Sequence, residues 1–429
     1  MTLLIKGGTV LNPANNIFSN LDLLVSNGRI SKIAPYIEDK NAEVINAGGK
    51  IITPGLIDLH VHLRQPGGEG KETIKTGCAG AAAGGFTSIA CMPNTDPVVD
   101  NSLMVEYVRR AAEKEGAVKV YPIGAISKGL KGEELAEMGL MSEAGIVAVS
   151  DDGKPVDNSS LMSLALQYAK TFDLPVISHC EVTSLAKGGV INEGYTSTLL
   201  GLRGIPDVAE AVMVARDILL AEYTGAQLHI AHVSSAKSVE LIRQAKAKGL
   251  KVTAEVTPHH LILTEEDVGE FDTDAKTNPP LRTAEDRRAL RKALKDGTID
   301  IIATDHAPHT PEEKALEFDS APFGVVGLET ALSVIFTELV KPGYLTLGEA
   351  VSAMSLKPAQ IIGLKAGNIE EGAEADLTII DINTEKVIDK EKFYSKGRNT
   401  PFHGWKVRGI PYMTIVRGKV VMHKGKVIH

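Results

Sequence analysis

Cysteine is scarce in this 429-residue chain: Cys78, Cys91 and Cys180 are widely spaced, and no CxxC pair occurs. An odd, scattered set argues against a disulfide framework or a zinc ribbon and suggests a reducing compartment, the cytoplasm. Long apolar runs are also missing. No stretch approaches the roughly 20 apolar residues of a membrane span. The N-terminus, Met1-Thr2-Leu3-Leu4-Ile5-Lys6, does not lead from a basic region into a sustained apolar one, so neither insertion nor export is expected. There is no basic run with interleaved aromatics, and the formal net charge is -8, which gives a nucleic-acid role no support. Any anionic ligand must be caught by local groups.

What is present fits a globular enzyme. With 43% hydrophobic and 23% charged residues, the chain has the length of a large catalytic core plus a smaller domain. Short runs at 3–10, 21–26, 29–33, 42–45 and 50–52 read as strands split by turns such as Asn27-Gly28. From residue 56 the texture changes to apolar runs alternating with helical segments. The runs are 56–63, 86–92, 118–126, 146–150, 175–178, 227–233, 251–256 and 299–303, and the clearest helices are 102–115, 159–171, 206–223, 236–248 and 284–295. Eight such runs predict an α/β fold, a (β/α)8 TIM-type barrel. The C-terminal segment returns to strands at 375–380 and 412–421. Neither end has enough strands for a core of its own. The two ends are therefore expected to form one small β-sandwich domain from 1–53 and 365–429, beside a barrel at 54–364.

In such a barrel the active site lies where the strands end. The first run ends in His60, His62 and Arg64, on one face if the strand stays extended. The second ends in Asn94, the fourth in Asp151-Asp152-Gly153, the fifth in His179, the sixth in His232, and the eighth in Asp305-His306-Ala307-Pro308-His309. A lone histidine at a strand end is more often a structural residue. Imidazoles and carboxylates at this many corresponding places suit zinc and hydrolytic chemistry. Alternation puts Asp151 and Asp152 on opposite faces and leaves open which of them faces the site. Arg64 beside a divalent cation would be unfavourable unless an anion pairs with it; the competing reading is a structural pair with Asp58 or Glu72. His229, His259 and His260 read as structural or supporting residues, His306 as facing away, and Cys180 as a packed thiol. The charged segment 311–314 reads as solvated surface or a lid.

Several segments carry a resemblance to a known family: Asp58-Leu59-His60-Val61-His62-Leu63-Arg64-Gln65-Pro66-Gly67, Met92-Pro93-Asn94-Thr95, Ser150-Asp151-Asp152-Gly153, His179-Cys180-Glu181, Ala231-His232-Val233-Ser234, Asn278-Pro279-Pro280-Leu281-Arg282 and Ala303-Thr304-Asp305-His306-Ala307-Pro308-His309. The chain resembles the long-form bacterial dihydroorotases of the amidohydrolase superfamily over nearly its whole length. The resemblance implies two zinc ions per subunit, with a one-metal form as the alternative. One ion would be held by His60, His62 and Asp305 and the second by His179 and His232, with Asp152 bridging them. Many relatives bridge with a carboxylated lysine, but the run 146–152 contains no lysine. It further implies that His62, Arg64, Asn94, Asn278 and His309 hold an anionic small-molecule substrate, with backbone near Phe323 and Gly324 closing over it, and that Asp305 acts as base and then acid. The implied reaction is reversible hydrolysis of the cyclic amide of dihydroorotate to N-carbamoyl-L-aspartate in pyrimidine synthesis. A homodimer and an association with aspartate transcarbamoylase belong to the same implication. The rivals are a hydantoinase or allantoinase on the same scaffold, or a non-catalytic partner of the transcarbamoylase, which would be expected to lose ligands.

Overall fold

A computed structural model describes residues 2–428. The barrel strands, labelled here β1 to β8, are Leu56–Val61, Phe86–Cys91, Lys119–Pro122, Val149–Ser150, Val176–Ser178, Leu228–Ile230, Val252–Val256 and Ile301–Ile302. They form two parallel sheets, β1 to β3 and β4 to β8. Single parallel bridges close the ring: Gly124 with Val149 joins β3 to β4, and Val61 with His306 joins β8 back to β1. At the second seam the His62 amide donates to the His306 carbonyl at 2.8 Å. The run 146–150 forms less ladder than its sequence suggests, yet Val147 N still donates to Pro122 O at 3.1 Å and Gly124 N to Ala148 O at 3.0 Å.

Helices Ser102–Glu115, Ser159–Thr171 and Ala284–Asp296 begin where a side chain can take an unpaired amide. Asn101 and Asn158 cap the first two, and Thr283 with Asp286 forms a reciprocal box at the third. The helices bury their apolar faces against the strands in the main core, while Ile57, Leu59, Ala90, Ile123, Ala148, Ile177 and Ile301 meet in a smaller cluster drawn from around the ring.

The chain ends form two sheets. One runs Arg29–Ala34, Asp22–Ser26, Thr2–Lys6, Glu43–Asn46. The other places Ile51–Pro54 between Thr9–Asn12 and Leu377–Asp381, so both termini share one ladder. Leu3, Ile5 and Leu23 from the first sheet pack on Ile52, Leu377, Ile379 and Ile415 from the second, a sandwich with its own core. The predicted strand at 3–10 is two strands in the structure, interrupted at Gly7, whose φ is 73°. Ile17–Asn20, at the sheet edge and mostly exposed, lacks the alternation that would have marked it.

Candidate metal centre

The strand ends bring His60, His62, Asp152, His179, His232 and Asp305 together. Asp152 is central: its Oδ1 lies 3.3 Å from His60 Nε2 and 3.5 Å from both His179 Nδ1 and His232 Nε2, while its Oδ2 lies 3.4 Å from His62 Nε2. Asp305 Oδ1 stands 3.1 Å from His62 Nε2 and 3.4 Å from His60 Nε2. His179 Nδ1 and His232 Nε2 are 2.8 Å apart. Two groups have ligand atoms within 4.8 Å of one another, His60 with Asp152 and His232, and His60 with His62 and Asp305. The group of His60, His62 and Asp305 is the one the resemblance implies for the first ion, while the other joins Asp152 and His232 to His60 rather than to His179. Asp151 points elsewhere: its Oδ1 accepts from the Ile126 and Ser127 amides at 2.7 and 3.0 Å, and its Oδ2 from the Ser127 hydroxyl.

These residues fit a divalent cation. His60 Nε2 and Asp152 Oδ1 are buried without a hydrogen-bond partner. Leaving such groups unpaired costs about 1–3 kcal/mol each, and a cation between nitrogen and oxygen donors would meet both. Charge is arranged accordingly. Burial opposes ionisation of Asp152 and Asp305, yet the imidazoles around them hold both well below the usual carboxylate range. Burial opposes charging His60, but Asp152, Glu255 and Asp305 outweigh it and raise its pKa well above the ordinary imidazole value. Burial dominates at His62, whose pKa is lowered.

Glu255 of β7 is a residue of the cluster's surroundings that the sequence reading missed. Fully buried, it takes His60 Nδ1 at 2.5 Å, His229 Nε2 at 3.0 Å and the His232 amide at 3.2 Å. A carboxylate behind a ligating imidazole fixes its tautomer and orientation. The available signal was a lone carboxylate inside an otherwise uncharged buried strand.

Beside the cluster lies a polar wall. Asn94 Oδ1 contacts His62 Nδ1 at 2.9 Å, and its Nδ2 reaches the Asp152 carbonyl at 3.4 Å. Arg64 Nε donates to Pro308 O at 3.3 Å, and Nη2 is 3.5 Å from His309 Nε2. Among the described residues no carboxylate lies within 4.0 Å of the Arg64 guanidinium. Glu72 is instead taken by His306 and Ser395, and Asp58 Oδ1 by the His60 and Thr304 amides. His309 Nε2 contacts Phe323 O at 2.9 Å and Nδ1 contacts Glu313 at 3.3 Å. Burial, with Arg64 and Lys71 adding to it, lowers the His309 pKa to about 3. Gly324 donates its amide to Lys276 O, and Asn278 Oδ1 is buried without a partner. Segment 311–314 is a short capped helix tied down through Glu313 to Lys71. Arg64, His232 and Asp305 have φ of 59°, 31° and 48°, left-handed backbone that non-glycine residues rarely adopt.

Comparison with known proteins gives a consistent family. A profile described as dihydro-orotase-like matches residues 49–238 and an amidohydrolase family profile matches 221–422. The chain is 58% identical over 422 residues to a dihydroorotase of Pelotomaculum thermopropionicum, covering 98% of this chain and 99% of that protein. It is 56% identical over 422 residues to a dihydroorotase of Acetivibrio thermocellus, with the same coverage. Among solved structures it is similar to the L-hydantoinase (dihydropyrimidinase) of Arthrobacter aurescens, with a TM-score of 0.90 and 28% identity over 100% of this chain and 97% of that one. The dihydropyrimidinase of Brevibacillus agri NCHU1002 gives 0.86 and 25% over 100% and 96%.

Proposed function

The chain belongs to the dihydroorotase family, and from that premise we propose that its barrel mouth hydrolyses the cyclic amide of dihydroorotate, reversibly, to N-carbamoyl-L-aspartate in pyrimidine synthesis. The observation that carries the substrate is Arg64, a half-buried guanidinium with no carboxylate within 4.0 Å among the described residues, set beside a metal-type cluster. A ring carboxylate is the anion that fits between Arg64 and His309, with Asn94 and Asn278 at the ring edge and the 323–324 backbone over it.

Zinc is the metal we assign, two ions with a one-ion form as the alternative, which His60, His62, Asp152, His179, His232 and Asp305 would hold, with Asp152 as the residue available to both. When bound, zinc lowers the pKa of a coordinated water and polarises the amide carbonyl. The rest falls to the protein. Asp305, held in its ionised form, accepts the proton of the attacking water and delivers it to the leaving ring nitrogen, base first and acid second. Glu255 keeps His60 aimed at the cluster. The same reading divides the chain into a barrel at 54–364 and a β domain from 1–53 and 365–429, and it includes a cytoplasmic homodimer and association with aspartate transcarbamoylase. Among the described residues no helix is long and apolar enough to cross a membrane.

Likeness to hydantoinases favours a second reading, a ring amidohydrolase for substrates without a carboxylate. Identity of 58% against 28% favours the first. The two separate in one assay. Zinc-loaded enzyme is expected to hydrolyse dihydroorotate, and Arg64→Met to raise KM for it strongly while leaving bound metal unchanged. Turnover of hydantoin but not dihydroorotate would overturn the assignment.

A further inference from the structure

Asn399 lies far from the barrel in sequence, in the segment that leads into the C-terminal strands, yet its side chain is only 2% exposed. It makes three hydrogen bonds, all to backbone. Oδ1 accepts from the His309 amide at 3.1 Å, and Nδ2 donates to Ala307 O and Gly324 O, both at 2.9 Å. Its own carbonyl accepts from Val326 N at 2.8 Å. The two segments it joins are the one after β8, carrying His309, and the one carrying Phe323 and Gly324. They already abut: a Cβ built on Gly324 would meet Ala307 O at 2.7 Å and His309 Cδ2 at 3.1 Å. The His309 ring is fastened to Phe323 O at 2.9 Å. Ring and main chain of His309 are thus fixed by different partners, and Asn399 supplies the second.

We propose that Asn399 is a positioning residue for the substrate's carboxylate end, holding His309 at its distance from Arg64 and keeping the 323–324 backbone over the site. This rests on the dihydroorotase reading. A primary amide is the chemistry that the place requires, because one side chain must accept from an N–H and donate to two carbonyls at once. Aspartate keeps the acceptor but turns the donor into a second acceptor facing two carbonyl oxygens. Alanine removes all three bonds.

The test uses full-length, zinc-loaded enzyme and compares wild type with Asn399→Ala and Asn399→Asp. Displacement of a binding group by about 1 Å can cost up to roughly 100-fold. KM for dihydroorotate and the Kd of orotate, a planar ring with the same carboxylate, are each expected to rise about 10-fold or more in both variants. kcat is expected to fall by less and bound zinc to stay at the wild-type level. Unchanged KM and orotate affinity in either folded variant would overturn the proposal, even if its melting temperature dropped, because that is the signature of a purely structural residue. Should Asn399→Ala not fold, the isosteric Asn399→Asp decides alone by the same readout. A wild type inactive on dihydroorotate refutes the functional reading itself, and then orotate binding that is equal in wild type and variant refutes the positioning role separately.

Discussion

Three residues at the mouth, Arg64, His232 and Asp305, hold left-handed backbone at a cost of about 1–3 kcal/mol each, and such strain persists where surrounding contacts impose it. Asparagine tolerates that conformation as well as aspartate does. Asp305→Asn is therefore expected to keep the fold and, when metal-replete, to lose about 10²- to 10⁴-fold in turnover, the worth of a general acid-base group. A metal-replete variant at the wild-type rate would remove Asp305 from the chemistry. Glu255→Gln keeps the shape behind His60 without the charge, and its zinc affinity, measured by chelator competition, is expected to fall about 10- to 100-fold. His309 supplies part of the pH dependence. Its folded pKa of about 3 lies below the ordinary 6.5, so between those values the unfolded chain binds a proton that the folded one refuses. Stability contributed there falls as pH falls, by up to about 1.4 kcal/mol per unit. His309→Gln abolishes the difference, and its melting temperature is expected to drop less than the wild type's between pH 6.5 and 4.5.

Among the elements, the segment 321–326 shows how a backbone position can be dictated by a neighbour. Gly324 has φ of 142°, and its missing Cβ leaves room for Ala307 O. Gly324→Ala is expected to destabilise by about 1–3 kcal/mol in denaturant titration and to raise KM, as the strand-eight loop is pushed aside. That position carries no signal in a single sequence. The strand ends do, because apolar runs stop at polar side chains there: His60, His62, His179, His232 and Asp305 were legible as a converging set. Helices 102–115 and 159–171 were legible from their composition and length, and the structure adds the side chains that start them, Asn101 and Asn158. Periodicity left Asp151 against Asp152 open; what distinguishes them is the Ser127 side chain and two amides, from another strand's end, that occupy Asp151. Asn399 was out of reach for the same reason. Its partners are backbone groups 75 to 92 residues away, and backbone groups leave no trace in residue identity.

At the scale of the molecule, the cluster draws ligands from β1, β4, β5, β6 and β8, so a bound ion ties together most of the ring. Metal that binds the folded chain alone stabilises it by mass action, about 2.7 kcal/mol when free ion is 100-fold above its Kd. Stripped protein is expected to melt at a higher temperature once zinc is restored; no shift would argue against the centre. Lys119, at the start of β3, is bonded to Glu374 and Asp376 and couples the barrel to the sandwich. The shared ladder of the two termini also sets an order of events during synthesis. Thr53 bonds to Thr378, 325 residues later. At roughly 5–20 residues per second, ribosomes need roughly 16–65 s to make that span. For that interval Ile51–Pro54 lacks the neighbour that Leu377–Asp381 later supplies, so the first β-strands translated are among the last to be completed.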